Sequence, residues 1–399
     1  MTLSRSLLVL VCGSIALALA LGIRQSFGLF LVPVSHDAGW TVPALTVGFA
    51  VQQLVWGAVQ PVIGAVADTR GPRAVVAGGG LAYAAGLLLM AYGGSVAAFQ
   101  IGAGLLVGIA LGAVGFSVVL GAVARATPED RRSARLGIAS AGGSFGMFAM
   151  VPIGQILIDT VGWQEALTVL ALFALAIAVL AMPLGGASRT ASAAGPTGPG
   201  LKDALGAAMR HEGFWLLTAG FFVCGFHLAF ISVHLPGYVA SCGLPPEVGT
   251  WALALVGLSN VVGSLVAGQL GGKHRPKYLL AGIYGLRGVV ILGFMLLPKT
   301  PAVVVGFAFL MGFLWLSTVP LTTGIVAGIF GPRFVSTLFG LVFFGHQVGA
   351  FLGALSGGLS LAWFGDYDAV WWVSLGLAVA SALLHLPIRD ARLPRFAPA

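Results

Sequence analysis

The chain has 399 residues, of which 58% are hydrophobic and 8% are charged, and its formal net charge is +8. About a quarter of the residues of a soluble domain are charged, so this composition excludes an ordinary soluble protein. The apolar residues form blocks of roughly 20 to 28, each long enough to cross a hydrocarbon core about 30 Å thick. The sequence therefore predicts an all-α integral membrane protein.

Twelve transmembrane helices in two six-helix bundles are predicted from the apolar blocks. The first six cover residues 7–34, 43–67, 73–94, 97–124, 134–159 and 163–186. The second six cover residues 213–240, 247–271, 277–297, 302–329, 334–363 and 368–387. A stretch rich in Gly, Ala, Ser, Thr and Pro separates the two sets and indicates a linker. The predicted domains are an N-terminal bundle (1–186), a cytoplasmic linker (187–212) and a C-terminal bundle with a short cytoplasmic tail (213–399).

The two halves of the sequence resemble each other. Residues 64–73 follow the second helix and residues 268–277 follow the eighth, at an offset of 204 residues. Both stretches place Gly, Pro and a closing cation at the same positions. An internal duplication is the simplest explanation, and pseudo-symmetric repeats of this kind are typical of secondary transporters.

The basic residues predict the orientation in the membrane. Of the 20 Lys and Arg residues, Arg24 and Arg287 lie within long apolar stretches and Lys299 lies in a predicted outer loop. The remaining seventeen fall in cytoplasmic segments if the N-terminus is inside. We therefore expect a multi-pass protein of the inner (plasma) membrane with both termini cytoplasmic. The positive charge reflects this orientation, and no nucleic-acid partner is expected.

Glycines recur every four residues in the fourth and eleventh predicted helices. This spacing makes a stripe of small residues on which another helix packs at close backbone distance. The stripes are Gly104, Gly108 and Gly112 in the fourth helix, and Gly345, Gly349, Gly353 and Gly357 in the eleventh.

The sequence argues against an enzyme or a cofactor-binding protein. It has no Gly-x-x-x-x-Gly-Lys-(Ser/Thr) loop, so ATP hydrolysis is not expected. Clustered catalytic acids and His-rich metal motifs are also lacking. Cys224 lies three residues from His227, but two ligands do not make a metal site, and a packing role is expected. We predict no enzyme activity, no metal and no cofactor, with a monomer as the functional unit.

A loop motif follows the second helix, with the pattern Gly64-x-x-x-Asp68-x-Arg70-Gly71-x-Arg73. It resembles the cytoplasmic loop motif of the major facilitator superfamily, departing from it at positions 69 and 72. The resemblance implies a twelve-helix transporter in which this loop holds the two halves together on the cytoplasmic side. We expect Asp68 near the N-terminus of the eleventh helix, where the helix dipole favours a carboxylate. The alternative is a solvated turn.

Two further segments narrow the resemblance. Residues 24–40 and 137–163 look like the first and fifth helices of the monocarboxylate and oxalate/formate transporter branch. In that branch a cation on the first helix contributes to carboxylate binding, and Arg24 occupies the corresponding place. The branch often carries Arg on the eighth helix, whereas this helix offers Asn260, and the second membrane cation is Arg287 on the ninth helix.

Arg24 lies roughly 15 Å from the outer end of its predicted helix, near the membrane midplane. Burying Arg there costs about 2.5–3.5 kcal/mol, which favours a functional role in binding an anion. A structural Arg bonded to carbonyl groups is the alternative. For Arg287 two interpretations stay open: a second substrate-binding charge, or a buried Arg bonded to carbonyls of the eighth or tenth helix with Tyr284 over its guanidinium.

Other polar residues in the predicted helices must face the interior of the bundle, because lipid cannot satisfy their hydrogen bonds. We interpret Asn260, His227, His346 and Gln347 as residues that orient the substrate, with interhelical hydrogen bonding as the alternative for each. His234 is expected to be structural.

The predicted function is that of a secondary active transporter. It would move a small organic anion, a mono- or dicarboxylate, by alternating access, with proton symport or anion exchange as the coupling. Its partners would be the anion, protons or a counter-anion, and the lipid bilayer. The alternatives are a drug or metabolite efflux permease of the same superfamily and a transporter-like membrane sensor.

Overall fold

The structure is a computed structural model that describes residues 5–186 and 200–396. These residues are helical with short connections, and they contain no strand. The α-helices of the first half are α1 (Arg5–Gln25), α2 (Leu31–Ala38), α3 (Val42–Arg70), α4 (Pro72–Tyr92), α5 (Val96–Gln100), α6 (Val107–Val114), α7 (Phe116–Ala126), α8 (Glu129–Val161) and α9 (Trp163–Leu180).

The second half begins with a short helix and continues with longer ones. They are α10 (Leu201–Arg210), α11 (Glu212–Ser241), α12 (Pro246–Gly271), α13 (Pro276–Leu296), α14 (Pro301–Leu314), α15 (Thr318–Phe330), α16 (Val335–Phe364) and α17 (Asp368–His385). Residues 201–210 of the predicted linker thus form α10, while 187–199 lie outside the described residues.

Twelve stretches of the described chain are long and apolar enough to cross a membrane, which confirms the predicted number. We refer to them as spans, numbered in chain order. The first, fourth, sixth and tenth spans are not continuous α-helices, whereas the sequence predicts continuous helices. In the sixth a 3₁₀ turn, Met182–Gly186, follows α9. The fourth combines α5 to α7 with a π-helical segment, Ile101–Leu106, and the tenth combines α14 and α15.

The predicted first helix, 7–34, is not continuous. The chain leaves α1 at Gln25 and forms a 3₁₀ turn, Ser26–Phe30, before α2 begins. The hydroxyl of Ser26 donates to the carbonyl of Ile23 (2.8 Å), and such local side-chain bonds compete with the regular helix ladder.

Pro and Gly mark the helix boundaries. Pro72, Pro276 and Pro301 stand in the first turn of α4, α13 and α14, where a missing amide hydrogen costs nothing. Gly71 joins α3 to α4 with φ of 98°, and Gly162 joins α8 to α9 with φ of 84°. Only glycine adopts such angles without strain.

The chain divides into two compact units, each with its own packing. Unit 1 holds Met1–Pro128, Ile138–Leu201 and Pro332–Gly340, and unit 2 holds Glu129–Gly137, Lys202–Gly331 and Leu341–Ala399. In unit 1 the second span packs on the fourth and the third on the sixth. In unit 2 the eighth packs on the tenth and the ninth on the twelfth. The same pairing in both halves agrees with an internal duplication.

Both glycine stripes lie at close helix contacts, as predicted. Gly345, Gly349, Gly353 and Gly357 of α16 all face α11, whereas Gly104, Gly108 and Gly112 of the fourth span face α3. A Cβ atom at Gly349 would overlap the backbone carbonyl of Phe222 in α11. This contact therefore requires glycine.

We predict that Gly349→Leu destabilises the protein by about 1–3 kcal/mol, because the added side chain must displace α11. The melting temperature in detergent measures the effect. Gly376→Leu in α17 is the matched control, since a Cβ there meets no atom within 4 Å. Equal melting temperatures for the two variants would contradict the close packing of α16 on α11.

Candidate functional site

Arg24 is the penultimate residue of α1, and its side chain lies next to two aromatic residues of unit 1. The guanidinium carbon is 5.4 Å from the centroid of the Trp56 ring on α3, a distance at which a cation is attracted to the ring face. Tyr83 of α4 is fully buried beside Arg24. Its hydroxyl donates to the carbonyl of Ala20, one turn earlier in α1 (2.9 Å). Two neighbouring helices thus define the surroundings of Arg24.

The charge of Arg24 is not paired with an acid in the part of the chain that the structure describes. None of the ion pairs found there includes this residue. Its Nε atom is buried and has no hydrogen-bond acceptor among the described residues. The side chain is half-buried. A guanidinium with an unused donor presents the fork that binds a carboxylate in bidentate fashion.

Close packing of α1 on α8 fixes the helix that carries Arg24. A Cβ atom at Gly146 would overlap the Ala18 carbonyl, and one at Gly22 would overlap the Gly146 carbonyl. Gly146 belongs to segment 137–163, one of the two segments that resemble the monocarboxylate branch. That segment thus has a structural role beside Arg24.

Arg287 is buried in α13, with only 1% of its surface exposed. Its Nη2 atom donates to the carbonyl of Leu314 (2.6 Å) and to that of Trp315. These carbonyls lie at the end of α14, where intrahelical donors are missing and the helix dipole favours a cation. Tyr284 packs over the guanidinium at 5.0 Å. Such contacts match the structural interpretation of Arg287, and its role in substrate binding stays a prediction.

Asn260 of α12 also contacts the interruption of the tenth span. Its Oδ1 atom accepts a hydrogen bond from the backbone N–H of Leu316 (2.9 Å). Leu316 lies between α14 and α15, so the side chain replaces an acceptor that a continuous helix would supply. Asn260 is buried, and its contact to substrate remains a prediction.

His346 and Gln347 are neighbours on α16, and both are buried. Nδ1 of His346 lies 3.1 Å from Oε1 of Gln347, and the imidazole stacks on Phe343 with ring centroids 5.1 Å apart. Cys224 of α11 lies nearby, with its Sγ atom 3.7 Å from Nη2 of Arg287 and 3.4 Å from Oγ1 of Thr318. The sequence predicts a packing role for Cys224, and its contact with Arg287 is not predicted because the two residues come from different helices.

The two histidines of α11 donate to carbonyls of other helices. Nε2 of His227 lies 2.8 Å from the carbonyl of Ser374 in α17. Nε2 of His234 lies 2.8 Å from that of Ala354 in α16. Both make the interhelical bonds that lipid cannot replace. The bond of His234 agrees with the structural role expected for it, and a place for His227 on the substrate path stays a prediction.

The predicted substrate-binding residues divide between the units. Arg24 belongs to unit 1, and the other five belong to unit 2. Within unit 2, Cys224 contacts Arg287, and both Arg287 and Asn260 contact the interrupted backbone of the tenth span.

The loop motif places Asp68 at the start of α16, as the sequence predicts. Its Oδ2 atom accepts from the backbone N–H (2.6 Å) and the hydroxyl (2.7 Å) of Thr337, and Oδ1 accepts from the N–H of Ser336 (3.3 Å). Gly64 allows the approach, because a Cβ there would overlap the Ser336 carbonyl. All these residues belong to unit 1. The carboxylate thus binds the free N–H groups at a helix N-terminus.

Arg125 of α7 is the ionic partner of Asp68, and the sequence motif does not contain it. Its Nη1 atom pairs with Oδ1 of Asp68 and donates to the hydroxyl of Ser336 (3.2 Å). Both members of the ion pair are almost completely buried. Arg70 and Arg73, the cations within the motif, are exposed instead. The partner lies 57 residues from Asp68, so only the fold reveals it.

A comparison with protein families decides the class of the protein. The profile of the Major Facilitator Superfamily matches residues 11–327 and 251–399. The chain belongs to this superfamily. The fold agrees, since the fucose:proton symporter FucP of E. coli superposes with a TM-score of 0.72 at 15% identity, covering 95% of this chain and 97% of FucP.

Individual relatives in the superfamily match most of the chain at modest sequence identity. Monocarboxylate transporter 13 of Bos taurus is 28% identical over 382 residues, covering 93% of this chain and 86% of that protein. The uncharacterized MFS-type transporter YcxA of Bacillus subtilis (strain 168) is 23% identical over 382 residues, covering 91% and 90%. This chain is thus a multi-pass superfamily transporter related to monocarboxylate transporters, and it is not an enzyme.

We predict that Asp68→Asn lowers the stability of the protein by about 3–5 kcal/mol, because it leaves buried Arg125 without its counter-charge. The amide group would also direct a donor toward the N–H groups of α16. Thermal unfolding in detergent measures the loss. Arg70→Gln removes an exposed charge of the same motif and serves as the control. A drop no larger than that of the control would contradict the buried pair.

Proposed function

We propose that this transporter moves a small organic anion, a mono- or dicarboxylate, with Arg24 as the residue that binds its carboxylate. The observation that carries the proposal is the half-buried guanidinium of Arg24, which has no ionic partner among the described residues and an Nε atom without an acceptor. A cation held in hydrocarbon without a fixed counter-charge is costly, and a bound carboxylate would neutralise it.

The surroundings of Arg24 hold its guanidinium in an orientation that suits a carboxylate. Trp56 covers the guanidinium, and Tyr83 is committed to the carbonyl of Ala20. These groups restrict the side chain to few orientations, so less entropy is lost when two parallel hydrogen bonds form to a carboxylate. Stacking on an aromatic ring leaves the edge of the guanidinium free for that purpose.

The relatives support the same substrate class. Several of them are named monocarboxylate transporters, and FucP is named a fucose:proton symporter. Proton symport and anion exchange both fit an anionic substrate. A drug or metabolite efflux permease would instead be expected to take neutral or cationic compounds, which an unpaired Arg24 disfavours.

Uptake of labelled lactate, pyruvate, oxalate and formate into proteoliposomes tests the proposal. We expect Arg24→Ala to weaken transport about 10- to 100-fold, since a charged hydrogen bond contributes about 1.5–3 kcal/mol. Arg24→Lys should recover part of the activity, because Lys keeps the charge but lacks the fork. Internal counter-anion and a pH gradient, applied separately, distinguish exchange from proton symport.

Arg210→Ala is the matched control, since it removes an exposed charge on α10 outside the spans. Undiminished anion uptake by Arg24→Ala would remove the proposed role of this residue. Transport of a lipophilic cation such as tetraphenylphosphonium, with no transport of any carboxylate, would replace the proposal with the efflux alternative.

We also propose that both termini face the cytoplasm of the inner (plasma) membrane, because the basic residues cluster on one side of the predicted helices. The 1–186 and 213–399 bundles would then be joined by a cytoplasmic linker. Cys242, beyond α11, would face outward, and His274, between α12 and α13, would face inward.

A membrane-impermeant maleimide tests this orientation in right-side-out vesicles. We expect the native chain to be labelled at Cys242 without permeabilisation, and a Cys242→Ser chain to lose that label. His274→Cys in the Cys242→Ser background should react only after the vesicles are opened. The opposite labelling pattern would reverse the proposed topology.

A further inference from the structure

A groove on the outside of unit 2 runs along three neighbouring spans. It lies between α12, α13 and the tenth span, and its volume is about 220 Å³. Tyr278 and Ser317 are the polar residues of its lining, and the others are apolar or glycine. The groove is open, since Leu286 on its wall and Tyr278 at its end are 56% and 52% exposed. Hydrocarbon surrounds a transmembrane span, so an apolar chain fills a groove of this kind.

Two glycines shape the groove in opposite ways. A Cβ atom at Gly263 of α12 would overlap the carbonyl of Phe313 in the tenth span, so these two helices close the floor of the groove. Gly282 of α13 also lines the groove, but a Cβ atom there would meet no atom within 4 Å. The space beside Gly282 is therefore open to a ligand.

The groove runs from the end of the spans toward their middle. Its lining on α13 extends from Tyr278, the third residue of the helix, to Leu286. At 1.5 Å per residue this distance is about 12 Å. On α12 the lining includes Leu270, one residue before the helix ends at Gly271. One end of the groove thus lies at the loop between α12 and α13.

Three cations lie at this end of the groove. We refer to Lys273, Arg275 and Lys277 as the loop cations. Lys273 and Arg275 are exposed. Tyr278 connects the loop cations to the groove, because its ring centroid lies 5.5 Å from the guanidinium carbon of Arg275 and 4.9 Å from Nζ of Lys277. A positively charged site thus borders an apolar one.

One carboxylate balances the loop cations only in part. Asp390 pairs with Arg275. Nζ of Lys277 donates to two backbone carbonyls just after α17, at 3.0 and 2.9 Å, and these supply partial charges only. Lys273 takes part in none of the ion pairs found among the described residues. The end of the groove therefore has an excess of positive charge.

The internal duplication shows how this charge differs between the halves. Residues 64–73 contain two cations and the carboxylate of Asp68, whereas residues 268–277 contain three cations and no carboxylate. At the offset of 204 residues Gly272 stands in place of Asp68. The second copy thus lacks the group that binds a helix N-terminus in unit 1, and its positive charge is available to another partner.

We propose that the groove and the loop cations bind one anionic phospholipid. Its phosphate lies at Lys273 and Arg275, and one acyl chain lies in the groove, past Tyr278 and along Gly282. Basic pockets between transmembrane helices bind acidic lipid headgroups. The helix α13 begins at Pro276 without a side-chain cap, and the N–H groups at a helix N-terminus also favour a phosphate.

Other occupants match only one of the two features. A free phosphate ion would leave the groove unfilled, and a zwitterionic phospholipid would add its own positive charge to the loop cations. A helix of a second protein is about 10 Å across, which is too wide for a groove of this volume. The proposal concerns unit 2 alone and involves no substrate, so it is independent of the role proposed for Arg24.

Native mass spectrometry of the full-length protein in detergent tests the site. Phosphatidylglycerol and phosphatidylcholine are added in separate titrations. We expect one phosphatidylglycerol to bind about tenfold more tightly or better, because each cation near a headgroup contributes about fivefold. Equal affinities for the two lipids would overturn the proposal, and this comparison needs no variant.

Variants separate the charge from the groove. Lys273→Gln should weaken phosphatidylglycerol binding about fivefold, with Lys202→Gln, which removes an exposed charge on α10, as its control. Gly282→Leu fills the groove and should weaken binding about tenfold or more, since acyl CH₂ groups lose their contacts. Gly285→Leu is the matched control, because a Cβ atom there also meets no atom within 4 Å but does not line the groove. Equal weakening by the two leucine variants would contradict the site.

A phosphatidylglycerol analogue with a photoreactive diazirine in one acyl chain locates that chain. Irradiation should cross-link it to residues 278–286 of α13. Gly282→Leu should lose the adduct, and Gly285→Leu should keep it. Excess glycerol 3-phosphate should not displace the analogue, because it has no acyl chain. Displacement by glycerol 3-phosphate, or an undiminished adduct in Gly282→Leu, would show that the groove does not hold the lipid.

Discussion

Every backbone N–H and C=O group inside a membrane must find a partner within the protein, because hydrocarbon offers none. Continuous helices meet this requirement by themselves, but the fourth and tenth spans are interrupted. In the fourth span Nε2 of Gln60 donates to the carbonyl of Gly112 (3.2 Å). In the tenth, Asn260 accepts from Leu316 and Arg287 donates to Leu314. Buried polar side chains thus replace the missing backbone partners.

The two interruptions are handled in the same way within each unit. Gln60 comes from the second span and Asn260 from the eighth, which are corresponding helices of the duplication. A polar residue in a predicted transmembrane helix can therefore bind the substrate, or it can bond to the backbone of another span. Asn260 makes the second kind of contact. Any role of Asn260 in substrate binding must coexist with its bond to Leu316, since an unpaired N–H there would cost about 1–3 kcal/mol.

Local patterns in the sequence predict much of this fold. The apolar blocks predict the twelve spans. The glycine stripe that contains Gly349 predicts a close helix contact, and the loop motif predicts the position of Asp68. The interruptions are not predicted, although Ser317, Thr318 and Pro320 follow Leu316 and are residue types common at the start of a helix. Arg125 and the surroundings of Cys224 are missed as well. Their partners are distant in sequence, and a single sequence gives no sign of such pairings.

The two cations buried in the membrane show why residue type alone does not define a site. Arg287 directs Nη2 to two carbonyls at the end of α14, where the helix dipole stabilises its charge. Arg24 has an aromatic face for support and a buried Nε atom without an acceptor. The absence of an acidic partner thus has different meanings at the two positions. For Arg287 the carbonyls of Leu314 and Trp315 provide an internal answer, and only for Arg24 does the missing charge point to a ligand.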